Sequence, residues 1–151
     1  GRLQLIGQVL AVSPMYRFPA EGGEQPDFVN GAIRLRTGIT PASRLREVLH
    51  AIEDALGRDR NAPPKQPRPI DIDIVNVVDD TPPDPDLPLP AEDLTRLAYV
   101  AVPSAALVPD WVDPRSGDTL RTIADRLARA TTITPQPELD EAIAELFGDD
   151  R

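Results

Sequence analysis

No cysteine occurs among the 151 residues. Disulfides, thiolate nucleophiles and zinc–thiolate sites are thereby excluded. His50 is the only histidine, so histidine-based metal clusters and histidine-dependent triads fail as well. Aromatic residues are few, with three Phe, two Tyr and one Trp. Lys65 is the only lysine among 16 basic residues, and nothing physical accounts for that bias. No apolar run reaches the roughly 18 residues of a membrane span. The longest, Leu97 to Val108, is broken by Pro103 and Ser104. Nothing resembles a secretory signal, so a cytoplasmic protein with no membrane partner is expected. Positive charge is also scarce: the net charge is -9. Without a basic stripe to neutralise a phosphate backbone, a nucleic-acid partner is not expected.

The length suffices for one domain with a real core. Within this acidic chain the positive charge gathers locally, at Arg58, Arg60, Lys65 and Arg68. A concentrated basic loop in an acidic protein reads as a site for a small anion. Directly after it comes Pro67-Arg68-Pro69-Ile70-Asp71-Ile72-Asp73-Ile74-Val75. Alternation of acids with branched apolar residues has the period of a half-buried strand. Asp71 and Asp73 would project from one face, roughly 6–7 Å apart, and the isoleucines from the other. Two adjacent carboxylates repel unless a positive charge sits between them. A hard cation such as Mg²⁺ takes oxygen ligands and brings phosphates with it. The bland alternative is the wet face of an edge strand.

Gln8 to Tyr16 and Phe28 to Thr37 read as strands separated by a loop over 16–25. Thr40 and Pro41 predict a helix start, as N-cap and first helical residue. Leu45, Val48, Leu49, Ile52 and Leu56 share one helical face, and Gly57 ends the helix. Residues 79–90 read as an acidic, proline-rich loop. Tyr99 to Val102 is expected as a short strand. Asp118 is expected to cap a helix bearing Leu120, Ile123 and Leu127. Thr131 to Thr134 reads as another strand, and Glu138 to Phe147 as a last helix. The class is mixed α+β, with one antiparallel-type sheet and helices on one side.

In this order the motifs resemble those of the pterin pyrophosphokinases of folate synthesis, over residues 7 to about 128. Val12-Ser13-Pro14-Met15-Tyr16 looks like the strand end before the pterin loop. Gln25-Pro26-Asp27-Phe28-Val29-Asn30 looks like the pterin-pocket motif. Ile52-Glu53 with Gly57-Arg58-Asp59-Arg60 looks like the turn after the first retained helix. The Asp71/Asp73 strand is the most specific match, and Val108-Pro109-Asp110-Trp111 resembles a late segment.

The resemblance implies a ferredoxin-like sheet with helices packed on it, in a single domain over 1–151 with 131–151 as an extension. It implies pyrophosphate transfer from ATP to 6-hydroxymethyl-7,8-dihydropterin, with AMP released. Asp71 and Asp73 would hold two Mg²⁺ ions, and Arg58 and Arg68 would act catalytically on the phosphates. Phe28 and Tyr99 would stack on the pterin, Asn30 would read its edge, and Pro19 would add contacts. His50, Glu53, Arg58, Arg60, Arg68 and Ile74 would line the nucleotide side. A fused or neighbouring folate enzyme is the expected protein partner. The bland counterparts are core aromatics, an exposed helix histidine, arginines at a helix end, and a Glu53 that merely pairs with an arginine.

The chain also departs from the pattern. The family's first strand and its G-S-N turn have no counterpart. Three expectations follow: a clipped chain, a strand supplied by a partner, or replacement by the C-terminal strand–turn–helix. Pro64, Lys65-Gln66, Ala91 and Leu97 stand where the family carries arginine, Trp-Gly, histidine and arginine. A weaker grip on ATP is expected. The second functional reading is therefore a degenerate relative that binds pterin or nucleotide, or serves as a subunit, without transfer.

Overall fold

A computed structural model describes residues 5–19, 27–57, 71–78 and 82–147. The class is mixed α+β with antiparallel pairing. Strand β1 (Gln8–Val12) pairs antiparallel with β4 (Ile33–Arg36), and β2 (Tyr16–Phe18) with β3 (Phe28–Asn30). The two expected strands are thus present, each divided once, and residues 16–18 of the expected loop are strand. Ser13 sits at the division. Its N–H donates to the Ala32 carbonyl at 2.9 Å, and its Oγ accepts from the Ala32 N–H at 2.8 Å. Pro14 has no N–H to continue the ladder. The register slips by one residue between Val12↔Ile33 and Tyr16↔Asn30. The bend turns β2 and β3 into a separate three-stranded sheet, completed by β5 (Thr134–Pro135) on the far side of β2.

Helix α1 (Ala42–Ala55) carries Leu45, Val48, Leu49 and Ile52 of the predicted apolar face, whereas Leu56 is its exposed C-cap, and Gly57 follows at φ +94°, a conformation natural to glycine. Its start differs from expectation. Pro41, not Thr40, is the cap residue and supplies no side-chain acceptor. A distant carboxylate takes over: Asp84 Oδ2 accepts from the Ser43 N–H at 2.8 Å.

Helix α2 (Asp93–Arg96) leads into α3 (Ala98–Leu107). The expected strand over 99–102 is therefore helical. Ala98, Ala101, Ala105 and Ala106 are strong helix formers. Burial of small Ala101 and Ser104 beside α4 (Leu120–Ala128) overrides the β preference of Tyr99-Val100. Pro103 lies inside α3, where a proline costs roughly 3 kcal/mol. Thr119, not Asp118, caps α4 by accepting from the Thr122 N–H; Asp118 is tied up in the preceding turn. Leu94, Ala101, Pro103, Leu120 and Ile123 form the helical core.

Helix α5 (Pro137–Phe147) follows β5 directly. The C-terminal strand begins three residues later than expected, so that of Thr131 to Thr134 only Thr134 is strand, and it lies beside β2. Among the described residues, no ladder joins it to β1 or to 71–78. None of these helices is long and apolar enough to cross a membrane.

Candidate active site

Residues 71–78 keep the predicted alternation without the predicted strand. Asp71 and Asp73 are exposed, while Ile72 and Ile74 are half-buried. Among the described residues no ladder pairs with this segment. Two hydrogen bonds from elsewhere help to position it. Glu53, on α1 and fully buried, accepts from the Ile72 N–H at 3.2 Å. Further on, the Val75 carbonyl accepts from the Ala91 N–H at 2.8 Å. A buried carboxylate is costly to desolvate unless donors face it, so Glu53 marks a point where the backbone between the two aspartates is held. His50 is half-buried on α1, one turn before Glu53. Ile74 adjoins Asp73. Arg58, Arg60 and Arg68 fall outside the described residues.

The second group of expected residues does come together. Phe28 and Asn30 occupy alternate positions on β3 and so share a face. Both reach Tyr99 on α3. The Phe28 and Tyr99 rings meet edge to face, with centroids 4.9 Å apart at 86°. Asn30 Nδ2 donates to the Tyr99 carbonyl at 2.6 Å. Phe18, only 2% exposed, lies beneath them, 6.1 Å from Phe28 and 6.2 Å from Tyr99. Tyr16 completes the cluster, 6.3 Å from Phe18. Pro19 is exposed and directly follows Phe18. A flat heterocycle sandwiched between Phe28 and Tyr99 would need roughly parallel rings about 7 Å apart. In the structure the two rings touch each other, so such a ligand enters only if one ring turns.

Phe18 and Pro103 are the residues that sequence reasoning missed here. Phe18 carried a signal, the i, i+2 spacing from Tyr16, hidden by reading 16–25 as loop. Pro103 reads in the sequence as an interruption of an apolar run.

The sequence profile of the 7,8-dihydro-6-hydroxymethylpterin-pyrophosphokinase (HPPK) family matches residues 2–109, more than two thirds of the chain. The chain belongs to the HPPK family. A 2-amino-4-hydroxy-6-hydroxymethyldihydropteridine pyrophosphokinase of Methylorubrum extorquens is 38% identical over 121 residues, covering 80% of this chain and 74% of its own length. The protein of the same name from Synechocystis sp. is 36% identical over 120 residues, which are 80% of this chain but 60% of that protein. The folic acid synthesis protein fol1 of Schizosaccharomyces pombe is 36% identical over 121 residues, only 16% of its length. The HPPK match takes in the aromatic cluster, Glu53 and the aspartate segment, whereas α4, β5 and α5 lie beyond it.

Proposed function

We propose that the chain transfers pyrophosphate from ATP to the hydroxymethyl group of 6-hydroxymethyl-7,8-dihydropterin and releases AMP. The hydroxymethyl oxygen attacks the β-phosphorus. The bond from that phosphorus to the oxygen bridging the α-phosphate breaks, and the hydroxyl proton is lost. Positioning and charge stabilisation supply the catalysis. The observation that carries the reading is the exposed Asp71/Asp73 pair, held through Ile72 by a buried glutamate inside a family-matched span.

Two exposed carboxylates suit Mg²⁺, which keeps water and phosphate oxygens in its remaining positions. Bound there, the metal would supply charge neutralisation along the triphosphate. Asp71 and Asp73 would be its protein ligands. Arg58 and Arg68 would grip the phosphates through their forked donors, with Arg60, His50, Glu53 and Ile74 on the nucleotide side. Phe28 and Tyr99 would stack on the pterin once the rings part, with Asn30 at its edge and Pro19 nearby.

The direct contact between Phe28 and Tyr99 favours a second reading. In it the fold binds pterin or nucleotide, or acts as a subunit, without transfer. One assay separates the two: AMP formation from hydroxymethyl-dihydropterin, ATP and Mg²⁺. The transferase reading expects AMP that falls at least ~100-fold in Asp73→Ala, a loss of a few kcal/mol of transition-state stabilisation. No AMP together with saturable pterin binding would establish the second reading.

A further inference from the structure

Pro103 sits six residues into α3, and its position has a consequence at the aromatic cluster. In a regular helix the N–H of residue 103 would donate to the carbonyl of residue 99. Proline has no N–H, and its ring presses on that same carbonyl. The Tyr99 carbonyl is turned instead to a side-chain donor, Asn30 Nδ2, at 2.6 Å. The partner atom fixes the identity of the donor. A carbonyl oxygen only accepts, so the nitrogen of the Asn30 amide must face α3. The amide oxygen, on the other branch of the same carboxamide, is then left to face away from the Tyr99 carbonyl.

We propose that Pro103 is a positioning residue for the pterin site: by withholding a helical N–H it fixes which end of the Asn30 amide points at the ligand. The proposal rests on the pterin reading above. An asparagine free to turn could present either an acceptor or two donors to a heterocycle edge. Locked against Tyr99, it offers its oxygen and one remaining N–H. The same tether holds Tyr99, whose ring packs on Phe28. Edge reading and ring placement are therefore coupled through one carbonyl.

A double-mutant cycle tests this without depending on activity. Asn30→Asp removes the donor while keeping the shape. It should lower Tm by roughly 3–8 °C, because the Tyr99 carbonyl loses its donor. In Pro103→Ala the new N–H satisfies the Tyr99 carbonyl, and Asn30→Asp should then cost less than about 2 °C. Equal costs in both backgrounds would overturn the proposal. Ligand binding is the second readout. Pro103→Ala should weaken the affinity for 6-hydroxymethyl-7,8-dihydropterin about tenfold and leave that for Mg-ATP unchanged, a split that general loosening of the fold would not produce. Unchanged pterin affinity would reduce Pro103 to a helix feature and refute the positioning role. If the unmutated chain binds no pterin while the stability coupling persists, the functional reading falls and the Pro103–Asn30 linkage stands alone.

Discussion

Glu53 shows how much one buried side chain can organise. It lies at 0% exposure on α1 and accepts from a backbone N–H situated between the two candidate metal ligands. Replacing it with alanine would leave the Ile72 N–H without that acceptor and open a void beside α1. Glu53→Ala should cost about 1–3 kcal/mol in urea unfolding. Glu53→Gln, whose amide oxygen can still accept from Ile72, should cost clearly less. Equal losses in the two variants would mean that the negative charge of Glu53, not its shape or a neutral oxygen acceptor, holds the segment. The residue was visible in the sequence as a family match. Its burial and its bond to Ile72 were not, because both arise from contact between segments 19 residues apart.

Among the elements, α1 illustrates a cap borrowed from elsewhere in the chain. The Ser43 side chain, the Ser43 N–H and the Asp86 N–H hold the Asp84 carboxyl below its ordinary value of 3.8, with Arg46 adding to the effect. A lowered folded-state value means that Asp84 adds stability above about pH 4. That stability is lost as pH falls through the folded value. Asp84→Asn should therefore flatten the fall of Tm with pH below about 4, measured by thermal melts at a series of pH values. An unchanged slope would show that other carboxylates govern the acid limb.

The helix itself was legible from Leu45 to Gly57 because its apolar spacing and glycine stop are local signals. Its cap was not, since Asp84 is 41 residues from Ser43. The failure at α3 has the same character. Tyr99-Val100-Ala101-Val102 looks like a strand in isolation, and the alanines that follow it together with the packing of α3 against α4 make it a helix. For residues 71–78 the alternation was real but did not bring a ladder with it. Exposure follows from which side chains meet the core, whereas pairing needs a neighbour.

For the whole molecule, the C-terminal unit joins the remainder through the segment that leads into the aromatic cluster. The Met15 N–H donates to Asp140 Oδ1 at 2.7 Å, and the Gln136 N–H donates to the Met15 carbonyl at 3.0 Å. Arg17 reaches Gln136 Oε1 at 3.3 Å. This docking leaves an electrostatic mark on Tyr16. Burial raises its phenol above the ordinary 10.0, and the negative charge of Asp140 raises it further. A raised folded-state value contributes stability that is present below pH 10 and lost as pH rises through that value. Asp140→Asn keeps an oxygen for Met15 but removes the charge. The Tyr16 titration, followed by phenolate absorbance in a Tyr99→Phe background, should move down yet stay above 10.0, because burial remains. The alkaline loss of stability should shrink with it. No movement would place α5 away from β2 in solution.

Both ends of α1 are fastened to one stretch of chain: Ser43 to Asp84 near its start, and Glu53 to Ile72 near its finish. The helix, about 20 Å long, is thus the strut of a frame fixed at those two points. The two aspartates hang from one corner of that frame. The placing of negative charge at this corner therefore depends on where the end of α1 sits as well as on the local backbone.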